Sequence, residues 1–221
     1  MLSETFKKRS LSSLVVINLG ILISGRGSNM AAILSEIKSG RIPNVRPCVV
    51  VSNKPDAAGL RLASEEYGIA TEVIPGEGLK GWSYDQKVVA ALKRHGVVPE
   101  SGLVCLAGFM RIISPEFVRA FQMRILNVHP ALLPSFPGLH AQKQAVDYGV
   151  KITGCTVHFV DEGTDTGPII LQSPVPVLDD DSEESLSARI LEQEHLLYPK
   201  AIKLIAEGRI EINGRIIKQG N

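Results

Sequence analysis

Between Ile17 and His129 an apolar strand-like run is followed, five times over, by a glycine- or proline-marked turn, and four times by a run of helical spacing. No other feature of the chain constrains its fold as tightly. The strands read as Ile17 to Ser24, Val45 to Ser52, Thr71 to Ile74, Gly102 to Ala107 and Arg124 to His129. The helices between them read as Met30 to Ile37, Ala57 to Tyr67 closed by Gly68, Ser83 to Arg94, and a short one capped by Ser114 with Pro115 at its first position. Strands joined through helices lie parallel, because a crossover of that length carries the chain back to the same edge. The expectation is therefore an α/β fold, a doubly wound, mainly parallel Rossmann-like sheet.

Beyond residue 138 the pattern changes. A short helix near Gln142 to Tyr148 precedes two β-rich runs, Ile152 to Val160 and Pro168 to Val177, close enough in sequence to pair antiparallel. Ser182, with Glu183 and Glu184, opens a long helix that runs to about Glu207 through Pro199, a point of expected distortion. Asn213-Gly214 between Ile212 and Ile216 signals a terminal hairpin. These boundaries give a disordered leader over 1–16, one domain over 17–208 and a hairpin tail over 209–221.

Composition narrows the function classes. A net charge of +1 offers no footprint for nucleic acid or an anionic membrane. The longest apolar stretch, Leu14 to Ile23, is broken by Asn18 and Gly20 and is too short to span a bilayer. Cys48, Cys105 and Cys155 are odd in number, widely spaced and set in apolar runs, which reads as buried thiols of a reduced, cytoplasmic chain and not as a disulfide framework or metal site. The leader carries Lys7, Lys8 and Arg9 but also Glu4 and no apolar core, so it reads as a disordered leader or early start codon in preference to a transit peptide. Monomer and homodimer both remain open.

The chemistry is expected at the end of the fifth strand. Side chains alternate faces on a strand, so Asn127 and His129 point the same way. Pro130 disfavours helix at His129, and Pro130, Pro134 and Pro137 then lead the chain away as a stiff loop. An amide and an imidazole are thus delivered together to the carboxyl end of a strand, where open α/β sheets bind ligands.

Three further stretches carry candidate residues. Gly25-Arg26-Gly27-Ser28-Asn29 follows a strand and opens a helix, a place where free N–H groups and the helix dipole hold an anion. The alternative is a turn that only joins two elements. A dinucleotide fits less well, since the third glycine of its fingerprint is missing and Ser52-Asn53-Lys54 supplies no acid for a ribose. Asp161-Glu162-Gly163-Thr164-Asp165-Thr166-Gly167-Pro168 reads either as a solvated turn or as a loop that folds over the fifth strand, where a carboxylate would favour the charged His129 ring and aim it as a proton donor. His158 reads first as a satisfied core histidine and second as a partner in that group. Ala107 to Ile113, with Gly108, Phe109, Met110 and Arg111, suits a slot for a flat heterocycle read by backbone groups, or an ordinary turn. Gln193-Glu194-His195 alone would be a polar helix face.

Gly25-Arg26-Gly27-Ser28-Asn29, Gly108-Phe109-Met110-Arg111, Asn127-Val128-His129-Pro130, Pro137-Gly138-Leu139-His140, Asp165 before Gly167-Pro168, and Gln193-Glu194-His195 occur in that order. Together they closely resemble the phosphoribosylglycinamide formyltransferase family over about Ile17 to Gly208. The resemblance implies a metal-free formyl transfer from 10-formyltetrahydrofolate, the co-substrate, to the amine of glycinamide ribonucleotide in purine synthesis. It implies catalytic roles for Asn127, His129 and Asp165, a ribonucleotide site at Gly27, Ser28, Asn29 and Glu194, and a folate site at Met110, Arg111, Ile112, Ile113 and Asn127. Where the family often carries a folate-contacting arginine this chain has Lys80-Gly81, which makes Lys80 the candidate replacement. Formyltetrahydrofolate hydrolysis, or formylation of another amine, is the near alternative; each would be expected with a further domain before residue 17 or after residue 208. A non-catalytic nucleotide-binding module is the alternative of a different class.

Overall fold

The computed structural model describes residues 16–220, so most of the leader lies outside the described residues. The chain runs β1 (Ile17–Ile23), α1 (Ser28–Lys38), β2 (Val45–Ser52), α2 (Ala58–Tyr67), β3 (Ala70–Val73), α3 (Trp82–Arg94), β4 (Gly102–Leu106), α4 (Pro115–Ala120), β5 (Ile125–His129), α5 (Ala141–Tyr148), β6 (Ile152–Phe159), β7 (Ile169–Pro176), α6 (Glu183–Ala206), β8 (Ile210–Asn213) and β9 (Ile216–Gln219). Seven strands form one sheet in the order β3-β2-β1-β4-β5-β6-β7, and β8 pairs with β9 separately. The first five strands are parallel, while β6 and β7 add antiparallel at one edge.

Apolar residues cover both faces of the sheet. Met30 and Ile33 of α1, Leu60 of α2, Ala145 of α5 and much of α6 pack on Ile21, Leu126 and Val157. On the other face Tyr84, Val88 and Leu92 of α3 and Phe117 of α4 pack on Leu22, Val104 and Ile125. Parallel strands buried on both faces require near-continuous apolar runs, as the burial of every residue of β4 illustrates. No helix among the described residues is long and apolar enough to cross a membrane.

Local chemistry sets the element ends. The Ser114 hydroxyl accepts from the Phe117 N–H and Pro115 opens α4; Ser182 and Ser185 make a reciprocal capping box on α6. Pro199 lies inside α6, which continues through it. At the terminal hairpin Asn213 pairs with Ile216, so the two-residue turn is Gly214-Arg215 and the positive φ of 57° falls on Gly214. The turn is displaced by one residue from an Asn-Gly centre, as suits a turn with glycine first.

Strand order reverses between β1 and β4, whose carboxyl ends lie side by side with that of β5. Tyr198 of α6 fixes this junction from below: its fully buried hydroxyl lies 3.2 Å from the Leu106 carbonyl and 2.9 Å from that of Leu126. Replacing Tyr198 by Phe is expected to cost about 1 kcal/mol of stability for the lost hydrogen bond, read from denaturant unfolding; an unchanged midpoint would show that the hydroxyl carries no stabilising bond.

Candidate active site

Strand alternation places Leu126 and Val128 against the α6 side and leaves Asn127 and His129 on the face of Ile125. Because β6 runs antiparallel with Asn127 opposite His158 and His129 opposite Thr156, His158 and Thr156 share that face. Thr156 holds the proline loop: its hydroxyl donates to the Ala131 carbonyl at 2.7 Å and accepts from the Leu133 N–H at 3.0 Å, while Gln172 donates to the Leu133 carbonyl at 2.9 Å. The loop so held brings the Phe136 carbonyl to 2.8 Å from His129 Nε2.

The 160–168 segment folds back over this face and inserts Asp165. Its Oδ2 lies 3.3 Å from His129 Nδ1 and accepts from the Gly138 N–H at 2.8 Å. Its Oδ1 lies 3.7 Å from His158 Nε2. Carbonyl and carboxylate oxygens only accept, so both His129 ring nitrogens face acceptors and a ring protonated on each makes both contacts. His129 is 3% exposed, which removes competing water from the pair.

His158 contributes more than core packing. Its Nδ1 donates to the Phe159 carbonyl at 2.8 Å, and burial pushes its pKa down, so the ring is held neutral. Nε2 is then an acceptor, 3.4 Å from Asn127 Nδ2, and it sets the orientation of the Asn127 amide. Both readings of His158 therefore hold. The signal that finds the second is pairing parity: once β5 and β6 are set antiparallel, Asn127 and His158 fall opposite each other.

The glycine turn lies at the adjacent strand end. Gly27 adopts φ 75° and ψ 30°, no side chain caps α1, and its first turn carries no acid, so the helix start presents N–H groups without a competing carboxylate in that turn. Gly59 of α2, absent from the sequence expectations, allows this turn to sit where it does: its N–H donates to the Gly25 carbonyl at 3.1 Å, and a Cβ there would meet Ile23 Cδ1 at 2.6 Å and Gly27 Cα at 3.2 Å. Ser28 is partly exposed, whereas Asn29 is buried and donates to Glu194 Oε2 at 2.7 Å. Among the described residues the buried Asn29 Oδ1 atom has no hydrogen-bond partner, which makes it an acceptor suited to a donor. Glu194 is 7% exposed, and burial raises its pKa to about 7 against the opposing hydrogen bond from Asn29.

After β4, Ser24 ties the next segment to β1. The Ser24 hydroxyl accepts from the Met110 N–H at 2.7 Å and donates to Asn53 at 2.6 Å. Met110 and Ile112 are exposed at 71% and 91%, large apolar side chains turned to solvent at a strand end. The Arg111 guanidinium lies 3.8 Å over the Tyr84 ring and donates to the Leu79 carbonyl at 2.6 Å; it holds the 75–81 loop. Lys80 on that loop is exposed, and its carbonyl accepts from Ser83. Ile113 packs on the core beneath. Three of the stretches singled out in the sequence thus meet at the carboxyl ends of β1, β4 and β5, and the 160–168 loop joins them from the sheet edge.

With this geometry established, comparison with known proteins decides the family. A formyl transferase family model matches residues 17–202. The chain belongs to the formyl transferase family. It is 43% identical over 198 residues to an Escherichia coli phosphoribosylglycinamide formyltransferase, covering 89% of this chain and 90% of that one. It is 44% identical over 201 residues to a trifunctional purine biosynthetic protein of Drosophila melanogaster, covering 90% of this chain but only 14% of that much longer one. A glycinamide ribonucleotide transformylase from Symbiobacterium toebii shares the fold with a TM-score of 0.87 at 47% identity, covering 93% of this chain and 95% of its own. The family match ends before β8 and β9, which lie at residues 210–219.

Glu194 gives a stability signature independent of any ligand. The unfolded chain loses this proton near the ordinary 4.5, while the folded chain keeps it to about 7. Stability from this group is fully present below pH 4.5 and is lost as pH rises to about 7. Relative to Glu194→Gln, the wild type is expected to lose on the order of 3 kcal/mol across that window and then level off. A difference that stays constant from pH 4 to 8 would mean that burial does not hold the carboxyl protonated.

Proposed function

We propose that the chain transfers the formyl group of 10-formyltetrahydrofolate to the amine of glycinamide ribonucleotide. The observation that carries this reading is the Asp165–His129 pair at 3.3 Å beside Asn127. It stands at the end of a strand neighbouring an anion-ready helix start and an exposed apolar segment. A proton donor, an anion seat and an apolar platform are the parts that joining a phosphorylated amine to an aromatic carrier requires.

The roles follow from charge development. As the amine nitrogen bonds to the formyl carbon, the carbonyl oxygen gains negative charge, and donors already aimed at it lower the barrier most. Asn127 supplies a neutral N–H, its amide oriented by His158. His129, held at Nδ1 by Asp165, exchanges its Nε2 contact with the Phe136 carbonyl for one with the reacting atoms, and passes a proton to the folate nitrogen as the carbon–nitrogen bond to the carrier breaks; the proton shed by the attacking amine restores the ring. Asp165 holds the ring through this cycle. Formyl is already activated on its carrier, so the residues need only orient, stabilise charge and move one proton.

Binding divides along the strand ends. Gly27, Ser28 and Asn29 at the start of α1 suit the ribonucleotide phosphate, with Glu194 holding the rest of that molecule. Met110 to Ile113 suit the pterin, read by backbone groups and framed by Met110 and Ile112. Because Arg111 is engaged by Tyr84 and Leu79, its part is to shape this slot, while exposed Lys80 is available for the acidic end of the folate.

The deciding experiment follows deformylated folate from 10-formyltetrahydrofolate with and without glycinamide ribonucleotide. Product is expected only when the ribonucleotide is present; product without it would make the chain a hydrolase, and none in either case would leave a binding module. His129→Ala is expected to lower turnover by roughly two orders of magnitude or more, and a near-normal rate in the folded variant would refute the mechanism. Asn29→Ala is expected to raise the KM for the ribonucleotide on the order of tenfold with the folate KM little changed; equal losses for both would take the Asn29 side chain out of the ribonucleotide site.

A further inference from the structure

The hairpin at residues 210–219 lies outside the family match, yet it reaches the candidate site. Arg215, at its tip, donates from Nη1 to the Thr166 carbonyl at 2.6 Å. Thr166 immediately follows Asp165, so the contact grips the chain one residue beyond the carboxylate that holds His129.

The segment it grips needs holding. Asp165 takes φ 53°, in the left-handed region that a side chain seldom adopts and that persists only where surroundings enforce it. Within the loop Asp161 Oδ1 accepts from the Thr166 hydroxyl at 2.7 Å and the Gly163 N–H at 3.1 Å. Gly167 returns the chain so close to β6 that a Cβ would meet the Phe159 carbonyl at 1.8 Å. On one side Arg119 of α4 pairs with Glu162 at 2.9 Å. The Gly138 N–H holds the carboxylate itself. Arg215 adds a restraint downstream of Asp165 that comes from outside the loop.

The hairpin is anchored well enough to act this way. Two strands alone are marginal in water, but Ile210 is buried in the main core and Ile217 packs on it. The Arg209 N–H donates to the Leu204 carbonyl at 2.9 Å, and the Gly220 N–H to the Arg209 carbonyl at 2.9 Å. The root is therefore continuous with the end of α6, and Gly214 turns the tip so that Arg215 faces the loop.

We infer that Arg215, carried by the β8–β9 hairpin, is a positioning residue that fixes Asp165 against His129 through the Thr166 carbonyl. The inference rests on the proposed role of Asp165 in formyl transfer. An arginine at a carbonyl is a charge-assisted contact whose loss frees the loop that carries Asp165 while removing no chemical group from the site. Since a misplacement near 1 Å can cost up to about a hundredfold in rate, the loss should appear in turnover and not in binding.

The test compares Arg215→Ala and Arg215→Lys in the full chain. Arg215→Ala is expected to lower kcat on the order of tenfold with both KM values within about twofold and thermal stability nearly unchanged; Arg215→Lys, which still donates to a carbonyl, is expected to recover most of it. Amide hydrogen exchange of residues 161–168, measured without substrates, should speed up in the Ala variant and not in the Lys variant. Unchanged exchange, unchanged kcat, a loss confined to KM, or failure of Lys to rescue a folded protein would each overturn the inference. If the wild type proves inactive as a transferase while exchange still responds to Arg215→Ala, the proposed function fails and the loop-ordering contact stands.

Discussion

One carboxylate organises the candidate site. Asp165 meets His129, the Gly138 N–H and His158, and in doing so joins three segments that the sheet alone would leave apart: the end of β5, the proline loop after it and the return between β6 and β7. A carboxylate largely withdrawn from water, here 13% exposed, is costly without donors, and the donors to Asp165 come from the end of β5 and from the proline loop. The antiparallel edge provides for this. Had β6 continued the parallel pattern, its following loop would have left from the same end as that after β5, and no segment would fold back across the strand face.

A second polar pair stands on the opposite side of the sheet. Asn29 and Glu194 link the start of α1 to the middle of α6, and their surroundings differ from those of the first pair. Asp165 Oδ2 faces His129 Nδ1 and the Gly138 N–H, whereas Glu194 accepts from the Asn29 amide and sits high in pKa because of burial. Among the described residues the Asn29 oxygen beside it has no hydrogen-bond partner. The two carboxyls thus sit in different surroundings on two faces of one junction, Glu194 raised by burial and Asp165 set against His129.

Much of the fold was legible because its signals are local. Alternating runs gave the parallel sheet, Ser114-Pro115 the start of α4, and the shift after residue 138 the antiparallel edge. Asn127 and His129 could be paired from strand parity and Pro130 alone. What stayed hidden depends on parity between elements or on three-dimensional proximity. His158 could not be separated from a core histidine until the β5–β6 register was known. Gly59 looks like any helical glycine until Gly27 lies against it. Arg111 could be read as facing a ligand, but stacks on Tyr84 because α3 brings that ring beneath it. Arg215 was invisible because nothing in a hairpin signal says what its tip touches. The hairpin itself was legible, one residue out of place, since Asn-Gly signals a turn more strongly than it fixes the turn's centre.

The central claim is that transfer occurs at the joined ends of β1, β4 and β5, with Asp165 and His129 beside the reacting carbon. The most direct test is a structure of the chain with glycinamide ribonucleotide and a non-reactive folate analogue bound together. The account predicts the phosphate on the N–H groups of Gly27 to Asn29, the pterin along Met110 to Ile113, and the ribonucleotide amine facing the analogue within reach of Asn127 and His129. A phosphate seated away from α1, or an amine on the α6 side of the sheet remote from His129, would contradict it.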